Sequence, residues 1–155
     1  MDYSTLSEID KLCVVGRNGH NIQLIENPSE KVQLAAVKQH SYSIAYIKYP
    51  SEKVQLEAVK KNGYSIQFIK NPSERVQIET VKEEGDSIQF IKNPSESVIF
   101  TALEKDPHVI EYIETPSEEM MKFVIRKDWR IIAYIKNPSE EIKEFVDIHR
   151  SLSED

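Results

Sequence analysis

The stretch NPSERVQIETVKEEGDSIQFIK, from Asn71 to Lys92, is one copy of a motif that runs through almost the entire chain. Its Pro-Ser-Glu opening recurs at Pro28, Pro50, Pro72, Pro94, Pro116 and Pro138, each 22 residues after the last. Leu6-Ser7-Glu8 hold the same frame one step earlier, and no insertion or deletion disturbs the register. A constant period of this size marks a repeat architecture, in which each unit is one supersecondary element that cannot bury its apolar face alone. Units start near residues 5, 27, 49, 71, 93, 115 and 137. Columns are numbered from the residue before the proline.

Within a unit the columns read as a long helix, a turn and a short element. Asn27, Asn71, Asn93 and Asn137 suit an N-cap, with proline at the first helical position. Glu30, Glu74, Glu96 and Glu140 then stand three residues after the cap, as in a capping box. Apolar side chains follow in columns six, eight, ten and eleven, for example Val54, Leu56, Ala58 and Val59. These cover a broad arc, which predicts a helix of about eleven residues packed on two sides. Lys38, Lys60 and Lys82 close it against the helix dipole, and Gly19, Gly63 and Gly85 suit the C′ position, where a left-handed backbone ends a helix.

Ser65-Ile66-Gln67-Phe68-Ile69-Lys70 form the short element, with Ser43, Ser65 and Ser87 placed to cap it and the next Asn-Pro to stop it. Its alternation admits a strand, and the period falls within the leucine-rich-repeat range. The L-x-x-L-x-L-x-x-N string of those repeats is absent, however. Ile44-Ala45-Tyr46-Ile47 and Ile131-Ile132-Ala133-Tyr134-Ile135 also lose the alternation. One or two turns of α or 3₁₀ helix fit better.

The expected fold is all-α: an α-solenoid of about seven helix–turn–short-helix repeats, forming a single domain over residues 1–155. With neighbouring helices ~8–10 Å apart, the stack is a rod on the order of 60 Å long. Both ends carry polar substitutions in apolar columns: Asp10 in the first unit, and Lys143, Glu144 and Asp147 in the last. Such end caps favour a discrete rod over an open filament.

Composition narrows the function. The chain is 39% hydrophobic and 30% charged with a formal net charge of -6. That balance fits a soluble domain and disfavours a protein whose main task is gripping a polyanion. A single cysteine, Cys13, excludes an intramolecular disulfide and a cysteine-rich zinc site, and reads as a small buried hydrophobe. No window approaches the ~18 apolar residues of a membrane span. The first residues lack the basic and apolar regions of a signal peptide, so a cytoplasmic location is expected.

Most repeated polar residues have a structural reading. Ser29, Ser51, Ser73, Ser95, Ser117 and Ser139 support helix starts. Gln33, Gln55 and Gln77 lie within the apolar arc of the long helix, and Gln23, Gln67 and Gln89 form a second amide row. Such rows can read a ligand unit by unit or simply satisfy one another and the backbone. Tyr46, Phe68, Phe90, Tyr112 and Tyr134 share a column with Leu24 and read as core. With Lys48, Lys70, Lys92 and Lys136 they superficially resemble a single-strand stacking platform, although those lysines suit the last turn of the short helix.

His20, His40, His108 and His149 form no metal-binding or H-E-x-x-H pattern, and no phosphate loop or nucleophile elbow is present. Neither catalytic residues nor a metal or cofactor is expected. The departures from the repeat are more informative. Pro107-His108 and Asp128-Trp129-Arg130 replace the glycine turn, and Trp129 is the only tryptophan. Trp and Arg are favoured binding hot spots, although Trp129 can equally fold back over the C-terminal end of the core.

The string Asn-Pro-Ser-Glu-x-Val-x-x-x-Ala-Val-Lys-x-x-Gly-x-Ser-Ile-Gln-Phe-Ile resembles a family of short helical repeats in bacterial and bacteriophage proteins, mainly of unknown function. The likeness spans Leu6 to about Ile148 and is clearest over residues 27–93. The Asn-Pro and Val-x-x-x-Ala-Val core is also similar to leucine-rich variant repeats, which alternate α and 3₁₀ helices. The first resemblance implies a helical solenoid, a phage or prophage setting, and no catalytic residues to carry over. The expected function is a non-enzymatic protein-binding scaffold, whose partner in that setting is a host defence or regulatory factor met in the host cytoplasm. The expected contact residues are Trp129, Arg130, His108, Gln33, Gln55 and Gln77. The alternative is a nucleic-acid- or nucleotide-binding solenoid that uses the Gln and Lys rows, and an architectural spacer is a third reading.

Overall fold

Serine, rather than asparagine, starts each long helix. In the computed structural model, which describes residues 5–153, Ser29 Oγ accepts a hydrogen bond from the Val32 amide. Ser7, Ser51, Ser73, Ser95, Ser117 and Ser139 cap in the same way. The helices are α1 (Glu8–Arg17), α2 (Glu30–Gln39), α3 (Glu52–Lys61), α4 (Glu74–Glu83), α5 (Glu96–Lys105), α6 (Glu118–Lys127) and α7 (Glu140–Ser153). The asparagine column lies two residues before the serine cap. Asn27, Asn71, Asn93 and Asn137 adopt left-handed backbone with φ of 46°, 51°, 50° and 51°. Asparagine enters this region more readily than most residues, and the proline that follows disfavours the right-handed alternative. Tyr49 and Thr115, in the same column, stay out of it.

The expected capping box is displaced accordingly, because the glutamate is the first helical residue and not the third. It still faces the positive end of the dipole, and its carboxylate reaches the next unit. Ser51 Oγ donates to Glu30 Oε1, Ser73 to Glu52 and Ser95 to Glu74, each at 2.5 Å, and Ser29 donates to Glu8. One hydroxyl thus caps its own helix and ties that helix to its predecessor.

The glycine column also works differently from the C′ expectation. No described glycine has positive φ. The long helices end instead on extended residues, and Asn18, Asn62, Asp106 and Asp128 cap the next element by accepting the amide two residues on. Ser43, Ser65 and Ser87, expected as those caps, are buried within the element. Ser87 Oγ turns back to donate to the Glu84 carbonyl. What glycine permits is close approach between units: a Cβ on Gly19 would stand 2.4 Å from the Ala36 carbonyl oxygen of the following unit.

The short elements are 3₁₀ helices, at Gly19–Leu24, Ser41–Tyr46, Gly63–Phe68, Gly85–Phe90, Pro107–Tyr112 and Trp129–Tyr134. Three residues per turn stack columns 15, 18 and 21 on one face. That face is the inner one: Gly63, Ile66 and Ile69 are buried, and so are their equivalents Gly85, Ile88 and Ile91. Opposite them stand columns six, ten and eleven of the long helix, where Val54, Ala58 and Val59 are 0% exposed. Repeated through the stack, these columns make one continuous core.

Every substantial contact between elements lies within a unit or between a unit and the next. At the ends, Asp10, Lys143, Glu144 and Asp147 are exposed, as polar caps should be. Lys122 Nζ, paired with Glu118 of its own helix at 2.6 Å, ties α6 to α7 by reaching Glu141 at 2.8 Å. Cys13 corrects the sequence reading. It is exposed, because column nine points away from both packed faces of α1. Among the described residues no helix is long and apolar enough to cross a membrane, and none lies in a strand.

Candidate functional site

The 3₁₀ geometry overturns the core assignment of the aromatic column. With columns 18 and 21 inside, column 20 sits about a third of a turn away, off that face. Tyr46, Phe68, Phe90, Tyr112 and Tyr134 therefore keep between 40% and 48% of their surface exposed, and Leu24 keeps 45%. Five large aromatics and a leucine form a half-exposed strip along one edge of the solenoid, with Tyr49 beside it at 79% exposed. Isolated exposed apolar residues are ordinary on a soluble protein; a row of aromatics along one edge is less so, and singles this strip out as the candidate site.

The strip is braced from the side by four ring-bearing members of column 16, each leaning on the column-20 ring of the next unit. His20 meets Tyr46 at 5.5 Å between centroids, Tyr42 meets Phe68 at 5.5 Å, Tyr64 meets Phe90 at 6.2 Å, and His108 meets Tyr134 at 5.0 Å. All four are tilted or edge-on, the arrangement that the ring quadrupole favours. His20 also packs on His40 at 4.2 Å, a pairing the column spacing did not reveal. In the middle of the row Tyr64 donates its hydroxyl to Asp86 Oδ2 at 2.5 Å. That hydrogen bond to a carboxylate, with some desolvation, pushes the phenol up to about 12. Tyr112 is also raised, chiefly by its hydrogen bond with Glu111.

Lys48, Lys70, Lys92 and Lys136 stand two residues beyond the ends of their 3₁₀ helices, not in the last turn. They flank the strip, all are exposed, and among the described residues they form no ion pair with a carboxylate. On the long-helix side the pattern differs: Lys38 pairs with Glu57, Lys60 with Glu79 and Lys82 with Glu79.

The proposed amide reader is engaged internally. Gln33, Gln55 and Gln77 are half-buried and donate Nε2 to the carbonyls of Pro28, Pro50 and Pro72 at 2.9, 3.0 and 3.0 Å. They bridge the start of their own unit and do not pair with one another. Gln67 and Gln89 likewise donate to the Tyr64 and Asp86 carbonyls.

His108 is exposed beside the strip, its Nδ1 3.1 Å from Asp106 Oδ1. Arg130 occupies the same column one unit on, 3.6 Å from Asp128. Trp129 is half-buried against the C-terminal core, with the guanidinium groups of Arg130 and Arg150 each 5.3 Å from its ring centre. A cleft lined by Trp129, Arg126, Arg130 and His149 opens there. Trp129 thus sits under α7 with Arg130 stacked on it, while His108 lies alongside the aromatic edge. Among the described residues no group of three or more His, Cys, Asp or Glu side chains is placed to hold a metal ion. No known family model, curated protein or solved structure matches the chain.

Proposed function

We propose that this chain is a non-enzymatic binding solenoid that holds a protein partner along its 3₁₀ edge. The half-exposed aromatic column carries the reading. Fixed aromatic rings give large, rigid contact area with little side-chain entropy to lose, which is why such residues dominate interface hot spots. His108 and Arg130 extend the surface towards the C-terminal end. The likeness to bacteriophage repeat proteins adds that the partner is a host defence or regulatory factor, met in the host cytoplasm.

A nucleic-acid strand is the second reading, favoured by aromatics beside lysines. Three observations count against it. The net charge is -6, Gln33, Gln55 and Gln77 are tied to proline carbonyls, and the lysine column is interrupted by Glu26 and Glu114.

The test is affinity capture from cells that naturally make the chain, comparing the wild type with a Phe68→Ala/Phe90→Ala pair and a Trp129→Ala/Arg130→Ala pair. A partner retained by wild type and lost by the first pair is the expected result. A partner held equally by that pair would remove the edge as the binding surface. The second pair reports whether the footprint extends to the last unit. A salt-sensitive gel shift with single-stranded RNA or DNA, absent from the first pair, would replace this reading with the nucleic-acid one.

A further inference from the structure

We infer that the segment held on the 3₁₀ edge is an acidic stretch in the polyproline II conformation, lying across units two to four with a carboxylate at every third residue. This rests on the edge being a protein-binding surface, and adds what the bound segment must look like.

The first observation is charge. Two successive clefts open along the strip in the middle of the chain. One is lined by Tyr46, Lys48, Gln55, Phe68 and Lys70, the next by Gln67, Lys70, Gln77, Phe90 and Lys92, and no carboxylate lines either. Further along, the cleft between Tyr112 and Tyr134 admits Glu111 beside Lys136. The flanking column itself runs Glu26, Lys48, Lys70, Lys92, Glu114, Lys136. Three lysines in succession are thus framed by a glutamate on each side. A long polyanion would run onto those carboxylates in both directions. A short acidic segment fits between them.

The second observation is the period. Neighbouring helical layers stand ~8–10 Å apart. A polyproline II helix has three residues per turn and rises about 3.1 Å per residue, so one turn advances about 9.3 Å. Every third side chain then returns to the same side, in step with one lysine per unit. A β-strand fails this test, because residues three apart point to opposite faces, and the described chain has no strand edge to pair with. The side chains between the carboxylates fall into clefts walled by aromatics and proline, the surface on which polyproline II segments dock elsewhere. Three lysines set the footprint at about nine residues.

The probe is a labelled peptide of Glu-Pro-Leu repeated three times, measured by fluorescence anisotropy against the full chain. Controls are the same peptide with lysine for glutamate, a permuted peptide with its glutamates adjacent, and a single-stranded oligonucleotide of similar length. The acidic repeat should bind with an affinity that falls as salt rises, and the lysine and permuted peptides should bind much more weakly. A Lys48→Glu/Lys70→Glu/Lys92→Glu variant should lose about tenfold or more, these side chains being exposed and without a carboxylate partner, Lys48 resting only on the Tyr49 ring 5.1 Å away; an unchanged thermal melt confirms that it folds. No binding of the acidic repeat, equal binding of the lysine or permuted peptide, or preference for the oligonucleotide overturns the inference. The natural partner separates the two levels. Loss with Phe68→Ala/Phe90→Ala but full retention with the lysine reversals would sink the acidic segment and leave the protein-binding edge standing.

Discussion

Replacing Gly19, Gly63 and Gly85 one at a time with alanine should give three different outcomes, ordered by how closely the next unit approaches. At Gly19 the added Cβ would meet backbone oxygen at 2.4 Å and Ser43 Oγ at 2.6 Å, about 1 Å inside ordinary contact. At Gly63 it would meet the Thr80 carbonyl oxygen at 2.9 Å, and at Gly85 the Lys105 Cγ, a movable side chain, at 3.3 Å. Forcing a methyl into packed backbone costs about 1–3 kcal/mol. Opposing this, alanine restricts the unfolded chain and contributes about 0.4–1 kcal/mol wherever its backbone is acceptable, as at these negative φ values. The balance is a loss of about 1–2 kcal/mol for Gly19→Ala, a smaller loss of about 0.5–1 kcal/mol for Gly63→Ala, where the nearest contact is also backbone, and a gain of about 0.5 kcal/mol for Gly85→Ala. For a chain of this length those correspond to a Tm drop of roughly 3–6 °C, a smaller drop of about 1–3 °C, and a rise of about 1–2 °C. Calorimetry reads the order directly, and amide exchange over α1 shows whether Gly19→Ala loosens the first unit alone. If the column needed left-handed backbone, all three would be destabilised alike, by about 1–2 kcal/mol. That result, or Gly85→Ala as the worst of the three, would refute the close-approach account.

Ser51→Asp, ordinarily a neutral change at an N-cap, should destabilise by about 1 kcal/mol because it sets a carboxylate against Glu30, whereas Ser51→Asp with Glu30→Gln should recover most of the loss in denaturant titration. Tyr64 should titrate late. Its folded pKa lies above the usual 10.0, so the stability it contributes is complete below that value and lost as pH rises through about 12. Ultraviolet titration should show one such phenol disappearing in Tyr64→Phe, and the alkaline limb of the stability profile should become shallower. Trp129→Ala should loosen α7 by about 2 kcal/mol, through lost packing and two lost cation–π contacts, and this should appear as faster amide exchange over residues 140–152.

The solenoid was legible because the apolar columns of the long helix repeat without interruption. Val54, Ala58 and Val59 read as inner positions and are inner. The serines support helix starts, as their position implies, but their tie to the preceding unit and the role of the glycine column lie between units, and single-unit patterns do not display what the neighbouring unit offers. Glu30 falls three residues after Asn27 and so imitates a capping box, while its carboxylate in fact meets Ser51. Apolar content alone puts Phe68 in the core, because it carries no information on which turn geometry the short element adopts. A three-residue spacing between Gly63, Ile66 and Ile69 was available in the sequence, and it alone turns Phe68 outward. The contacts of column 16 with column 20 join residues 26 apart, as Tyr42 with Phe68, and no local signal predicts them.

Since each unit touches only its neighbours, the edge is modular in a quantitative sense. Inserting one further copy between units three and four would leave every existing contact type intact and lengthen the strip by one ring and one lysine. Copy number then acts as a dial on the length of peptide engaged. A coding sequence with blocks this alike can turn that dial by duplicating or dropping a block, with no new side chain required.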